Sequence, residues 1–457
     1  MKTRRFFSAF FAGLLSVLLL CPAALATDPA EPSKTPEDPA AQAKAALLVE
    51  RGSDTVLYSL NADERLYPSS LVKVATALMV LEAVEAGQLS LEQELPATAS
   101  ALSATIGARI GLKEGELMTV RDLMGCMLVV SANDASNILA EAVAGSVPAF
   151  VEKMNARVKE LGCTNTNLTN TTGEHDDNMY TSAHDLYLIA EAALSHEAFL
   201  PICDSADFII PATNMAGERH LRTTNYLLSN WRAIGYRYTD AHGIKDSSST
   251  QAGHCLITTA TKDGLDLICV VLGAQKVTLD NGKSQVQSFS EATRLLKWGF
   301  ANFAYKTILT PNDMLASMPV TMSDSDAVTL HSANEIVVLM PVRLTAEDLT
   351  RTIRFTSKSV EAPVYTGQQL AEVELSYGGT VYSVVPLVAL NNVDVSQSML
   401  MERDIREFFD RTAVKVSIAA VVGLIFLIIV WKLTIGRRRY RYGKSVRGRS
   451  NYRGRRK

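Results

Sequence analysis

The spacing of apolar residues over the first two thirds of the chain predicts strands and helices mixed in one domain. Two short apolar runs, residues 46–49 and 55–58, flank Gly52-Ser53-Asp54 and predict a hairpin. Residues 70–86 are apolar on nearly every side and stop at Gly87, which predicts a buried helix. The chain therefore starts its folded part with a hairpin followed by a core helix.

The same reasoning places two further helices on either side of Ser131. Thr119 and Asp122 have the spacing of a helix N-cap pair, and Gly145 ends the second helix. Farther on, the apolar runs 256–260 and 265–272 flank Lys262-Asp263-Gly264 and predict a second hairpin. Residues 289–303 again have a helical pattern.

The pattern changes to short alternating strands after residue 311. Residues 335–340, 371–377 and 381–390 are of this kind, and they predict a separate small β-sandwich over residues 311–400. Residues 401–412 fit an amphipathic helix.

The N-terminal 26 residues have the features of a secretory signal. Lys2, Arg4 and Arg5 precede an apolar run over residues 6–20, and Ala24-Leu25-Ala26 is a small-x-small cleavage site. A lipoprotein signal ending at Cys21 is the alternative, but the residue before the cysteine is Leu20 rather than a small residue. Residues 27–43, rich in Pro, Ala and charge, predict a flexible linker.

Residues 413–435 form a mostly apolar stretch of 23 residues, long enough to cross about 30 Å of hydrocarbon. A buried core helix is the alternative. The tail that follows, residues 436–457, holds eleven Lys or Arg and no Asp or Glu, which predicts a cytoplasmic tail. The body of the protein is then outside the membrane.

Composition narrows the possible partners. The chain has 457 residues, of which 47% are hydrophobic and 20% charged, as in packed globular domains. Without the signal, the membrane segment and the tail, 29 basic residues face 48 acidic ones, so the exported part carries about −19. This charge argues against nucleic acid as a partner. Five cysteines remain after the signal, without the spacing of a zinc site or a disulfide framework.

Ser70 and Lys73 carry the first candidate chemistry. They stand three residues apart near the start of the predicted buried helix, so they share one face. A serine needs a neighbouring base to become a nucleophile, and a lysine in an apolar pocket has its pKa lowered toward that task. Ser131-Ala132-Asn133 follows about 60 residues later between two apolar helices. Its alternative interpretation is a turn with Asn133 as a helix cap.

In this order, these motifs resemble those of the low-molecular-mass penicillin-binding proteins, the D-alanyl-D-alanine carboxypeptidases. Residues 68–73 resemble the family's nucleophile motif, and residues 131–135 resemble its second motif. Thr172-Gly173-Glu174-His175-Asp176 through Tyr180-Thr181-Ser182-Ala183 is similar to a further family stretch. Residues 252–256 match the start of the strand that follows the third motif. The resemblance covers roughly residues 44–400.

The third motif departs from the family. Lys-Thr-Gly is expected there, and the register puts Lys245-Asp246-Ser247 at that place. The family's threonine helps to hold the carboxylate of the terminal D-alanine. Two like charges about 4 Å apart repel by roughly 4 kcal/mol at an effective dielectric near 20. Lys245 is a candidate to offset part of this cost, although neighbouring residues of a strand point to opposite faces. The side chain of Ser247 is expected to crowd the approach to substrate.

The resemblance implies an α+β chain with the penicillin-binding, serine β-lactamase-like transpeptidase fold, in which helices flank an antiparallel sheet. This serine DD-peptidase domain spans residues 44–305. A small β-sandwich (311–400), an amphipathic segment (401–412) and a transmembrane helix (413–435) follow. The implied partners are a peptidoglycan stem peptide, β-lactams as covalent inhibitors and the membrane, with no metal or cofactor.

By resemblance, Lys73 takes the proton of Ser70, and Ser70 attacks the penultimate D-alanine carbonyl. Ser131 relays a proton to the leaving group. The substrate-binding residues are Asn133, Lys245, Asp246 and Ser248, of which Ser248 contributes a backbone N–H to the oxyanion hole. One alternative is a catalytically silent relative that binds wall peptide or a partner protein. Another is a β-lactamase, for which Glu174 is the only candidate deacylating base.

Overall fold

The computed structural model describes residues 34–434. The predicted signal (1–26), the first part of the linker (27–33) and the basic tail (436–457) lie outside the described residues, as does the last residue of the predicted membrane helix. The chain divides into two compact units. The first runs to Lys306 and includes Leu339–Thr345, and the second comprises Thr307–Val338 and the chain from Ala346 onward.

The strands are β1 Ala45–Glu50, β2 Thr55–Leu60, β3 Glu94–Pro96, β4 Leu117–Thr119, β5 Asp207–Ile210, β6 Arg219–Arg222, β7 Ala241–Ser249, β8 Gly253–Lys262, β9 Leu265–Ala274, β10 Lys276–Thr278, β11 Ser284–Val286, β12 Phe303–Leu309, β13 Met314–Thr321, β14 Ala327–Ser332, β15 Ile336–Pro341, β16 Thr350–Phe355, β17 Val360–Glu361, β18 Gln369–Tyr377 and β19 Thr380–Ala389. The helices are α1 Val72–Glu85, α2 Ala99–Ser103, α3 Val120–Val129, α4 Asn133–Ala144, α5 Val147–Glu160, α6 Ala183–Leu194, α7 Phe199–Cys203, α8 Gln287–Asn302, α9 Gln397–Asp410 and α10 Thr412–Thr434. Short 3₁₀ turns lie at Ser69–Leu71 and Ala346–Asp348.

The first unit is built on a five-stranded sheet in the order β2-β1-β9-β8-β7. Each neighbouring pair in it is antiparallel, and the predicted hairpins are β1–β2 and β8–β9. Alternate residues of β1 enter different cores, because side chains alternate across a strand. Leu47 and Val49 join the core that contains α1, and Ala46 and Leu48 join the one that contains α8. The predicted antiparallel sheet flanked by helices is thus confirmed.

Helix boundaries in the helical lobe follow the capping residues that the sequence predicted. The Thr119 side chain accepts a hydrogen bond from the Asp122 N–H at the start of α3. Gly145 ends α4 in the left-handed conformation, at φ 78°. These two helices meet at residues 130–132, so the link between them is fixed from both sides.

The second unit contains the predicted β-domain. Its six strands are hydrogen-bonded in the order β16-β18-β19-β14-β13-β17, and only β13 and β17 pair in parallel. The amphipathic helix α9 begins at Gln397, earlier than the predicted residue 401, because the Ser396 hydroxyl caps it by accepting from the Met399 N–H. Among the described residues, α10 is the one helix long and apolar enough to cross a membrane.

All five cysteines within residues 34–434 are buried free thiols. Burial raises the pKa of Cys163 to about 12. It raises the pKa of Cys255 to about 11. Buried free cysteines of this kind behave as small apolar core residues.

Candidate active site

Ser70 lies in the 3₁₀ turn that leads directly into α1, and Lys73 lies in the first turn of that helix. Ser70 is half-buried, whereas the Lys73 side chain is completely buried. Lys73 Nζ lies 3.2 Å from Ser70 Oγ and donates to the Thr172 carbonyl at 2.5 Å. The predicted pairing of hydroxyl and amine on one face is therefore present at hydrogen-bonding distance.

The electrostatics of Lys73 favour its neutral form. Burial lowers the pKa of this amine well below its ordinary value, and the nearby charge of Lys245 lowers it further, while Glu174 and Asp246 oppose the shift. A neutral amine has a lone pair that can accept the Ser70 proton. Lys73 is thus suited to act as a base at a pH well below the ordinary pKa of a lysine.

A glycine packs against the 3₁₀ turn that contains Ser70. This glycine belongs to residues 172–183, the further stretch that is similar to the family. Ser69 has a positive φ of 50°, and Gly173, at φ 83°, lies against it. A Cβ at Gly173 would lie 1.9 Å from the Ser69 carbonyl oxygen, which no side chain can occupy. Close backbone packing therefore fixes the position of Ser70.

Ser131 and Asn133 occupy the link between α3 and α4. Ser131 has a positive φ of 62° and faces the same cavity as Ser70. Such a conformation is strained for a residue with a side chain and persists only when its surroundings enforce it. The predicted nucleophile, its base and the second serine are thereby brought together.

Asn133 is buried and does not line this cavity. Its Nδ2 donates to the Ile106 carbonyl at 2.6 Å and to Glu174 Oε1 at 2.9 Å, and its Oδ1 has no partner among residues 34–434. Substrate binding by Asn133 stays a prediction, for which the unpartnered Oδ1 is the hydrogen-bond acceptor still available. The Glu174 carboxylate, the candidate base of a β-lactamase, is held by Asn133 and also does not line the cavity.

The altered third motif lies on β7, and its two charges face each other. Lys245 Nζ donates to the Asp246 carbonyl at 2.8 Å and lies 3.2 Å from Asp246 Oδ1. Lys245 is thus placed to offset part of the charge of Asp246. The side chain of a lysine is long enough to turn back to its neighbour, although the two Cβ atoms point to opposite faces. Thr224 Oγ1 donates to the same Oδ1 at 2.6 Å.

Ser247 does not crowd the site in the expected way. It is buried, and its hydroxyl donates to the Pro68 carbonyl at 3.3 Å, which links β7 to the residue before the nucleophile turn. Ser248 is exposed, and it lies opposite His254 where β7 pairs with β8. Both Ser247 and Ser248 line the cavity that contains Ser70.

This cavity has a volume of about 380 Å³, and we call it the active-site pocket. Its lining residues are Ser70, Ala108, Val130, Ser131, Thr224, Tyr226, Arg232, Asp246, Ser247, Ser248, His254, Val286 and Phe289. Sequence reasoning missed Thr224 and Arg232, since neither belongs to a motif. Arg232 has no ion-pair partner among the described residues, and its guanidinium lies 5.2 Å from the Trp231 ring centre.

Comparison with known proteins identifies matching families and relatives over most of the chain. The profile of the D-alanyl-D-alanine carboxypeptidase family matches residues 32–276, and that of the penicillin-binding protein 5 C-terminal domain matches residues 303–395. The chain is 29% identical to D-alanyl-D-alanine carboxypeptidase DacF of Bacillus subtilis over 392 residues, which is 84% of this chain and 94% of that protein.

Two further relatives agree. D-alanyl-D-alanine carboxypeptidase DacC of Escherichia coli is 29% identical over 388 residues, covering 84% of this chain and 91% of that protein. The crystal structure of penicillin-binding protein 5 from Haemophilus influenzae superposes with a TM-score of 0.58 at 28% identity, covering 78% of this chain and 99% of that one.

Proposed function

This chain belongs to the D-alanyl-D-alanine carboxypeptidase family, and we propose from this that it releases the terminal D-alanine of peptidoglycan stem peptides through an acyl-enzyme on Ser70. The observation that carries the proposal is the contact of Lys73 Nζ with Ser70 Oγ at 3.2 Å inside a pocket that Ser131 also lines. Each of the three side chains has a part in one acyl transfer.

In the proposed reaction, neutral Lys73 accepts the Ser70 proton as Ser70 Oγ bonds to the carbonyl carbon of the penultimate D-alanine. The carbonyl π electrons move to oxygen, and the backbone N–H groups of Ser70 and Ser248 stabilise that oxyanion. When the tetrahedral intermediate collapses, the C–N bond breaks and Ser131 relays a proton to the departing amine. Water then attacks the ester and gives one proton to Lys73; the bond to Ser70 Oγ breaks, the shortened peptide leaves as the acid, and Ser70 Oγ takes that proton from Lys73.

The altered third motif bears on substrate binding as well as on the pKa of Lys73. Lys245 and Asp246 form a pair of opposite charges beside the pocket, so the terminal carboxylate of a substrate meets no free ammonium from Lys245. Arg232, which lines the pocket without an ion-pair partner among the described residues, is the cation left for that carboxylate. β-Lactams also carry a carboxylate, together with a carbonyl group that can acylate a serine. We therefore propose them as covalent inhibitors of this protein.

The test is release of D-alanine from a diacetylated L-Lys-D-Ala-D-Ala peptide by the full chain in detergent, together with labelling by a fluorescent penicillin. Release and stable labelling are expected. Labelling that turns over rapidly would instead indicate a β-lactamase. The absence of both release and labelling would favour the catalytically silent relative. The pairing of Lys245 with Asp246 makes that relative the second candidate.

The lowered pKa of Lys73 predicts how acylation depends on pH. As pH falls through this pKa the amine takes up a proton and cannot accept one from Ser70, so the rate of penicillin acylation should fall about tenfold per pH unit. In the interval between this pKa and the ordinary lysine value, the unfolded chain binds more protons than the folded one. The free energy of unfolding contributed by Lys73 therefore rises with pH across that interval. An acylation rate that does not fall at any acidic pH at which the melting curve shows the protein still folded would contradict this role.

We also propose that α10 anchors the protein in the cell membrane, with the body outside and residues 436–457 in the cytoplasm. The support is the apolar helix Thr412–Thr434 and the eleven basic residues beyond it. In intact cells stripped of their wall, added protease should digest the body, while an epitope on residues 436–457 should survive. Digestion of that epitope before the cells are opened would overturn the orientation.

A further inference from the structure

A second cavity lies beside the active-site pocket in the same unit, and it is basic. Its volume is about 310 Å³, and its lining includes Arg237, Lys283 and Lys297 but no Asp or Glu. We call it the basic pocket. Asp280 belongs to the same loop as Lys283 but is not part of the lining.

One layer of aromatic rings separates the two cavities. Tyr226 and Phe289 line the active-site pocket, and Tyr236 lines the basic pocket. Phe289 stacks on Tyr226 with ring centres 4.7 Å apart and meets Tyr236 edge-on at 5.8 Å. The Tyr236 hydroxyl also accepts from the Val286 N–H at 2.7 Å. The two cavities are therefore neighbours, separated by three rings whose centres lie between 4.7 and 5.8 Å from one another.

The three cations of the basic pocket are available for a ligand. None of them has an ion-pair partner among residues 34–434, and the one close contact is Lys297 Nζ at 5.4 Å from the Tyr238 ring centre. The Thr293 hydroxyl in the same wall also has no hydrogen-bond partner among those residues. The exported part of the chain carries about −19 and so repels anions at long range. A group of unpaired cations stands out against that background.

We propose that the basic pocket is a secondary binding site for an oxyanion, a carboxylate or a phosphate, on the cell-wall polymer whose stem peptide occupies the active-site pocket. The proposal rests on the function proposed above. A polymer held at both places gains affinity from charge pairs that a short peptide cannot make. The basic pocket thereby selects polymeric wall over free peptide.

The test compares Arg237→Ala/Lys283→Ala/Lys297→Ala with a control, Lys113→Ala/Lys153→Ala/Lys159→Ala, which removes the same charge from exposed positions that lie outside both cavities. Both are made in the full chain, so the basic tail is common to all three proteins. With uncross-linked peptidoglycan strands, the pocket variant should show a KM raised about tenfold and an unchanged kcat. With diacetylated L-Lys-D-Ala-D-Ala it should match the wild type, and the control should match it on both substrates.

Strands stripped of attached phosphate polymers identify the anion. If the pocket variant stays defective on stripped strands, the ligand is a carboxylate of the strand itself. If the defect disappears, the ligand is the phosphate of the attached polymer. An unchanged KM in the pocket variant on both kinds of strand, or an equal rise in the control, would overturn the proposal. If the wild type releases no D-alanine, the proposed function fails, and sedimentation with strands then decides whether the pocket variant binds about tenfold more weakly than the control.

Discussion

Ser70→Ala is expected to remove covalent penicillin labelling and to lower the release of D-alanine by at least about a thousandfold, since the acyl-enzyme cannot form without its oxygen. The melting temperature should stay within about 2 °C of the wild type. Ser70 is half-buried at the edge of the active-site pocket, so loss of its hydroxyl removes little packing.

Ser248→Ala provides the matched control for this substitution. Ser248 lines the same pocket and is exposed, but the part proposed for it is a backbone N–H, which alanine keeps. Labelling of Ser248→Ala should therefore be close to that of the wild type. Penicillin bound covalently to Ser70→Ala would show that another residue is the nucleophile.

Removing the charge of Asp246 is expected to raise kcat/KM for a peptide with a free terminal carboxylate by about ten- to a hundredfold. Lys245 is fully buried and pairs with Asp246 at 3.2 Å, so Asp246→Thr with Ser247→Gly removes the negative charge from the pocket lining and leaves the charge of Lys245 beside the pocket uncompensated. A unit charge about 4 Å away is worth up to roughly 4 kcal/mol at an effective dielectric near 20, and Thr224 and solvent reduce that gain. A peptide with an amidated end should gain little.

Asp246→Asn separates charge from shape in this experiment. The amide oxygen can still accept from Thr224 Oγ1, as the carboxylate does at 2.6 Å, but it carries no charge. It should reproduce most of the gain on the free-ended peptide. Its melting temperature should fall, because the buried ammonium of Lys245 loses its counter-charge. Equal rates on the free and amidated peptides in every variant would show that Asp246 does not influence the carboxylate site.

Periodicity and capping residues were enough to predict most of the local elements. The hairpins β1–β2 and β8–β9 and the helix α1 follow from local patterns of apolar residues, because each is a short-range element whose buried face is written in the sequence. The antiparallel sheet that joins the hairpins came from the family resemblance instead. It pairs Ala45 of β1 with Leu272 of β9, far apart in the chain, and no local pattern encodes that pairing.

The sequence predicted those residues of the site that belong to its motifs. Ser70, Lys73 and Ser131 were expected together and are close together. Thr224 was not predicted, because a threonine in a loop belongs to no motif. Its hydrogen bond to Asp246 depends on the tertiary fold, which brings this loop next to β7. Pairing within the Lys245-Asp246 dipeptide could not be predicted for a different reason. Strand alternation fixes the direction of Cβ atoms, but it does not fix the end of a long flexible side chain.

The five buried thiols have a consequence for how the protein can be labelled. Only a thiolate attacks a disulfide or an oxidant, and burial holds the pKa of Cys163 at about 12 and of Cys255 at about 11. In the folded protein these five thiols should thus react slowly with disulfides and oxidants. A single cysteine introduced on its surface would be the one readily alkylated thiol within residues 34–434, so the native protein can be labelled at a chosen position without removing any natural cysteine.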